Sequence, residues 1–290
     1  MKQIINGKIF VAILLGIVLS LQPDGVLMAA PEAKPLRIGV TPVFLNYQTA
    51  LLNDWRDYLS ARLKRPIRFV QRTTYREITD LLQENKIDFA WICGYPYMRL
   101  RSKFRLATVP LYQGKPLYQA YLIVPSSDTE TQSISNLKGK IFAHSDPDSN
   151  SGFLVPQHQI HQLGEDRNNF FRKSIFTWAH EKVVEAVAFG VTNGGSVDGY
   201  IWDTLSKLNP QLTAGTRIVE KSQSFGFPPI VARANISENE FLSVRQEFLD
   251  MNKNGEGKAL LNRLNLDGFS IQDDSIYDGI AKIIKELDGG

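Results

Sequence analysis

The chain has 290 residues and a formal net charge of +3, with 33 Lys and Arg set against 30 Asp and Glu. That near balance excludes the strongly basic face that nucleic acid binding needs. A single cysteine, Cys93, excludes an intrachain disulfide, so stability has to come from a buried core, which a chain of this length can supply.

Residues 1–30 read as a secretory signal peptide. Lys2 and Lys8 supply the positive start, residues 9–21 are an apolar run whose one polar member is Ser20, and Ala29-Ala30 are the small residues of a cleavage site. The run, at about thirteen residues, is short of the ~20 that a spanning helix needs. No cysteine stands near its end to take a lipid. The expected address is the periplasm or the exterior. Lys2, Lys8 and Asp24 contribute +1 together, so the mature chain keeps +2.

The mature chain then alternates. Residues 35–40 predict a strand, and 47–64 a helix, on the spacing of Leu51, Leu52, Trp55, Tyr58, Leu59 and Leu63. Residues 67–70 predict a second strand, 75–85 a helix, and 89–93 a wholly apolar strand of the kind buried inside a parallel sheet. Strands over 104–110 and 117–124 follow, the second leading to a first passage between lobes. The rhythm restarts with 133–137 and a strand over 140–143. Next come a helix over 153–163, a strand over 174–178, a helix over 181–189, a loop over 190–196 and a strand over 197–202. A strand over 217–220 and a return at 228–231 precede three helices, over 238–251, 257–264 and 276–287. This is an α/β chain in two lobes. Residues 31–124 and 229–290 make the first lobe and 125–228 the second. Each is expected to be a mixed, mostly parallel sheet flanked by helices, with two crossover strands. In such sheets ligands bind beyond the carboxyl ends of strands, in the loops after Val40, Val70, Cys93, Ala143, Trp178 and Ile201.

One of those loops carries a distinctive stretch, Asp146-Pro147-Asp148-Ser149-Asn150-Ser151-Gly152. Ser149, Asn150 and Ser151 are N-cap residues, Gly152 permits close approach, and Pro156 is tolerated near a first turn. A helix start holds an anion with unpaired N–H groups and its dipole, without lysine or arginine. In isolation the stretch reads first as an ordinary capped helix after a turn.

Its company gives it a second meaning. In order the chain shows Thr73-Thr74-Tyr75 before a helix, Ile87-Asp88-Phe89-Ala90-Trp91 running into Gly94-Tyr95-Pro96-Tyr97, then Asn136-Leu137-Lys138-Gly139-Lys140. The serine-rich stretch follows, and last Ala179-His180 with Gly190 and Val197-Asp198 beyond. Over nearly all of residues 35–290 this set resembles the phosphonate/phosphite-binding components of ABC importers, which have the type II periplasmic binding protein fold, a clamshell. The resemblance implies a secreted protein that captures a small phosphorus oxyanion, whether phosphonate, phosphite or phosphate, between its lobes. It would deliver this ligand to an ABC permease in the inner membrane, acting as a monomer without cofactor, metal or catalysis. It implies that Ser149, Asn150, Ser151 and Gly152 hold the head group together with His180. Tyr97, in a Gly-x-x-Tyr pattern, is the aromatic expected to close over the ligand. Tyr47, Tyr75 and Tyr95 are further candidates, and Asp203 is the nearest acidic one for an amine-bearing tail. Asn150 departs from the threonine common in the family. A ligand without an amine fits the set better.

Several residues keep a plainer reading beside this one. His180 can merely cap its helix; His144 lies within reach of the serine stretch; Asp198 caps or turns. His158 and His161 lack a third metal ligand and are expected on a solvated face. Cys93 is expected to be buried and inert. Arg99, Arg101, Lys103 and Arg105 read as a solvated surface. A sensor signalling to a membrane receptor is the alternative on the same fold. An enzyme is disfavoured because no nucleophile–base set or phosphate loop is present.

Overall fold

The computed structural model describes residues 34–42 and 49–289; the signal-peptide reading and Tyr47 lie outside these residues. The chain opens with β1 (Leu36–Val40), α1 (Thr49–Leu63), β2 (Ile67–Gln71), α2 (Tyr75–Gln83), β3 (Phe89–Trp91) and α3 (Gly94–Arg99). α1 buries Leu51, Leu52, Trp55, Tyr58 and Leu59, the face its spacing predicts. α2 starts at a capping box, in which Thr74 accepts from the Glu77 amide and Glu77 reaches back to Thr74, so Thr74 is a cap. Asp88 is structural as well. It takes the Arg37 amide and guanidinium on one side and the Arg233 guanidinium on the other.

Next come β4 (Phe104–Leu111), β5 (Leu117–Tyr118), β6 (Ala120–Pro125) and β7 (Ile141–His144). The strand predicted over 117–124 is therefore two. β6 lies inside the second sheet, so the first passage falls at Gln119 and not after residue 124. Gln119, the one amide side chain in that run, marks the break. The serine stretch forms a π-turn (Asn150–Leu154) that continues into α4 (Val155–Gln162), so this helix starts three residues before the predicted 153.

β8 (Lys173–Phe176), α5 (His180–Ala188), β9 (Gly194–Asp198) and α6 (Gly199–Leu208) follow. Here the sequence reading fails. Residues 190–196 were expected to loop and 197–202 to be a strand, yet the strand is Gly194–Asp198 and a helix starts at Gly199. The glycines are there for packing. A Cβ on Gly195 would stand 2.5 Å from Val183 Cγ1, and one on Gly199 would stand 2.6 Å from the Tyr121 ring. α7 (Pro210–Ala214), β10 (Thr216–Lys221), β11 (Phe225–Gly226) and β12 (Ile230–Arg233) lead back to the first sheet. The chain closes with α8 (Glu238–Leu249), α9 (Gly255–Arg263), β13 (Gly268–Ser270) and α10 (Asp278–Asp288).

The first sheet has the order β13-β4-β12-β3-β1-β2 and the second β10-β6-β9-β7-β8. In each, a parallel trio (β3-β1-β2 and β9-β7-β8) meets an antiparallel strand that has arrived from the other lobe, β12 or β6. The sheets are thus mixed as expected, but less parallel. Every pairing beyond the two trios is antiparallel, because a strand returning through the passage enters from the opposite end. The ribbon β5·β11 pairs Tyr118 with Phe225 and Leu117 with Gly226, joining the two passages to each other. The arrangement aims the carboxyl ends of β1, β3, β7 and β9 at a common seam.

Candidate anion site at the seam of the two sheets

The serine stretch is wound tightly. Gly152 N–H donates to Ser149 Oγ (3.0 Å), and Gly152 is required because a Cβ there would overlap the Ser145 hydroxyl at 1.9 Å. What comes close at Gly152 is thus the protein's own loop. The Gly152 carbonyl accepts from His144 Nδ1 (2.9 Å), which fixes that ring as its Nδ1–H tautomer. His144 is buried against Phe142, Phe153, Phe171 and Phe176. Burial drives its pKa down to about 4.

His180 opens α5 directly above this turn. Asp198 N–H donates to its Nδ1 (3.0 Å), so the neutral ring carries its hydrogen on Nε2 and gives it to Ser149 Oγ at 3.4 Å. Burial pushes its pKa down to about 3, so the ring is a neutral donor throughout the physiological range. Ser149 Oγ now receives two hydrogens, from Gly152 and His180, and its own O–H is left to give outward. Asp198 sits under His180 as the cap of α6, accepting from Tyr200 N–H (2.9 Å). Burial pushes its carboxyl up to about 8.

The opposite wall belongs to the first sheet and the ribbon. Cys93, the N-cap of α3, accepts the Asn150 N–H on its sulfur at 3.3 Å. Burial pushes its pKa up to about 12, so it is a neutral thiol. Tyr118, from β5, takes Asn150 Nδ2 on its phenol oxygen (2.9 Å) and is held also by the Ser151 hydroxyl. Ser151 accepts the Ser196 hydroxyl on its carbonyl (2.6 Å). Asn150, Ser149, Ser151 and His180 are all 2% exposed or less.

Among the described residues, two buried groups at this seam find no hydrogen-bond partner: the Tyr75 hydroxyl and Asn150 Oδ1. Ser145 Oγ and His144 Nε2, just behind the turn, share that condition. Buried polar atoms are almost always bonded, so orphans gathered at one place call for an explanation. At the rim, Tyr75 N–H donates to Asp146 (3.0 Å) and the Arg76 guanidinium meets Asp148 (3.1 Å), so the serine loop clasps the start of α2. Farther out, Tyr200 donates to the Leu264 carbonyl (2.6 Å), which also ties second-sheet elements to first-sheet ones.

The expected site residues divide. Ser149, Asn150, Ser151, Gly152, His180 and Tyr75 come together. Tyr97 does not, since its hydroxyl turns to Asp274 (2.5 Å) and its ring packs edge-on against Tyr277. α3 wraps the loop after β3 and carries Tyr97 away from the seam. Tyr95 accepts from Arg99 on the same helix (3.1 Å). Asp203 is held by the hydroxyls of Tyr112 (2.7 Å) and Tyr121 (3.1 Å), one turn along α6 from the seam. Cys93, Tyr118, Asp198 and His144 were not assigned to the site. Three of them stand at or just beyond strand carboxyl ends, the signal that finds them; Tyr118, in a passage, gave none. His158 pairs with Glu286 at 2.6 Å and is 13% exposed, so its face is not simply solvated. Among the described residues no group of three His, Cys, Asp or Glu is placed to hold a metal.

A family model described as the periplasmic substrate-binding protein of phosphonate ABC transporters matches residues 38–277. The chain belongs to this family. It is 25% identical over 273 residues to the phosphonates-binding periplasmic protein of Escherichia coli K12, covering 90% of this chain and 80% of that one. Among solved structures it is similar to the binding component of an ABC phosphonate transporter from Pseudomonas aeruginosa. There the TM-score is 0.79 at 21% identity, over 86% of this chain and 85% of that one. PhnD1 of Prochlorococcus marinus MIT 9301, in complex with methylphosphonate, gives a TM-score of 0.78 at 19% identity, over 88% and 98%. The clamshell fold of periplasmic binding proteins is thereby established for this family member.

Proposed function

We propose that this protein, once exported, captures a small tetrahedral phosphorus oxyanion between its lobes and presents it to an inner-membrane ABC permease, without chemistry of its own. One observation carries the reading. A helix start, the Ser149 hydroxyl with a neutral histidine N–H behind it and the Ser151 hydroxyl shared with Tyr118 converge in a buried seam, beside the Tyr75 hydroxyl that has no partner among the described residues. These are neutral donors, the kind that bind an oxyanion by hydrogen bonds and dipole. The Asn150 amide rests on thiol sulfur, a weak acceptor that a phosphoryl oxygen outcompetes. The names of the relatives agree with that class.

Titration calorimetry of the mature protein with phosphite, methylphosphonate, phosphate and sulfate tests the proposal. At least one phosphorus oxyanion is expected to bind at micromolar concentration or better. No heat from any of them, in protein shown to be folded, sinks it.

A further inference from the structure

We infer that this chain takes its ligand as a monoanion that still carries one P–OH hydrogen, and that the Asn150 amide oxygen is the acceptor that selects it. The inference rests on the proposed function and deepens it. In the amide orientation that gives Nδ2 to the Tyr118 phenol at 2.9 Å, Oδ1 of the fully buried Asn150 faces the other way. That oxygen finds no donor among the described residues. An amide oxygen only accepts. Against a fully ionised phosphonate, whose oxygens also only accept, the contact is repulsive; against a P–OH group it is a hydrogen bond.

The charges around it agree. Among the described residues no lysine or arginine bonds to the groups at the seam, and Arg76 is at the exposed rim, paired with Asp148. A buried dianion there would have no counter-charge, and burying an unpaired charge is costly. Among the described residues, the titratable groups facing the position are Tyr75 from α2, Cys93 at α3, Tyr118 from β5, His144 and Asp198 at the ends of β7 and β9, Asp146 just after β7, and His180 from α5. Burial keeps both phenols and the thiol protonated and both imidazoles neutral near pH 7. It raises the Asp146 carboxyl, and the Asp198 carboxyl to about 8. Ionisation of either adds negative charge and so opposes a dianion further.

The test is calorimetry from about pH 5 to about pH 9, with methylphosphonate compared against methanesulfonate, a monoanion of the same shape that has no hydrogen to give. Methylphosphonate affinity is expected to fall about tenfold per pH unit above the ligand's own second pKa. Methanesulfonate is expected to bind at least ~10-fold more weakly than the methylphosphonate monoanion. Asn150→Thr, whose hydroxyl can donate, should narrow the gap between the two ligands and flatten the slope. Asp198→Asn, which keeps an oxygen to cap α6, should leave the slope in place. Equal binding of both ligands with no slope overturns the inference and leaves the function standing. So does a slope that vanishes in Asp198→Asn, or a preference of tenfold or more for 2-aminoethylphosphonate that Asn150→Thr abolishes, which would put an ammonium on the oxygen. The wild-type ligand comparison stands even if a variant fails to fold. No binding of any phosphorus oxyanion at any pH removes the function itself.

Discussion

His180 offers the most quantitative test of the site. Its Nδ1 accepts the Asp198 amide at 3.0 Å, and a protonated ring could not accept that hydrogen. Burial brings its pKa from the ordinary 6.5 down to about 3. At pH 5 the folded protein therefore holds about 1% of this ring charged, whereas the unfolded chain holds nearly all of it charged. A group depressed in the folded state stabilises fully above its unfolded pKa, and that stability drains away as pH falls from about 6.5 toward 3. Between pH 7 and pH 5 the linkage amounts to about 2 kcal/mol. His180→Gln deletes the titrating group, so its unfolding free energy should drop about 2 kcal/mol less than that of wild type over that interval. Urea unfolding at the two pH values measures the difference. Imidazole nitrogen resonances give an independent reading, in which His180 should remain the Nε2–H tautomer between about pH 5 and about pH 9. Superimposable acid limbs for variant and wild type, or a ring titrating near 6.5, would falsify the tautomer assignment.

Other consequences are simpler to measure. Gly195→Ala pushes a Cβ to 2.5 Å from Val183 and 3.2 Å from the Ala143 carbonyl, so it should destabilise by about 1–3 kcal/mol. An unchanged melting temperature contradicts the close packing of β9 on α5. Asp146→Ala removes the acceptor of the buried Tyr75 amide and should cost about 1–3 kcal/mol of stability. Urea unfolding measures the loss; an unchanged midpoint refutes the clasp. Arg76→Ala, at an exposed pair, should change stability by less than about 1 kcal/mol, and a larger loss contradicts its place at the rim.

How far the sequence reaches is clearest at β9 and at the two tyrosines after β3. Apolar runs such as Phe89-Ala90-Trp91 announce strands because burial on both faces demands them. Gly194-Gly195-Ser196 carries no such signal. Those glycines answer to Leu137 and Val183, residues distant in the chain, and only the folded contact explains them. The serine stretch was legible as a helix start because capping leaves a local signature, whereas His180 came to attention only through the family resemblance. Tyr97 and Tyr95 were misplaced because their direction depends on α3 winding just after Cys93. Asp203 was misplaced because two phenols from other elements claim its carboxylate. Tyr118 comes to the seam only through the crossing topology, whereas Cys93 stands just beyond the carboxyl end of β3. Asn150, which looked like a departure from a pattern, holds an amide oxygen that lacks a partner among the described residues.

The ribbon β5·β11 has a mechanical consequence. Two separate connecting strands would let the lobes twist and shear as well as bend. Hydrogen bonded to each other through Tyr118–Phe225 and Leu117–Gly226, they act as a single leaf spring with one soft direction. Tyr118 belongs to that leaf, and its hydroxyl grips Asn150 on the helix that opens the cradle. Flexing the leaf and moving the cradle are therefore one displacement, without slack between them. Stiffness set in the ribbon, for instance where a side chain on Gly226 would press Tyr277 at 2.7 Å, becomes a term in how tightly the molecule holds what it catches.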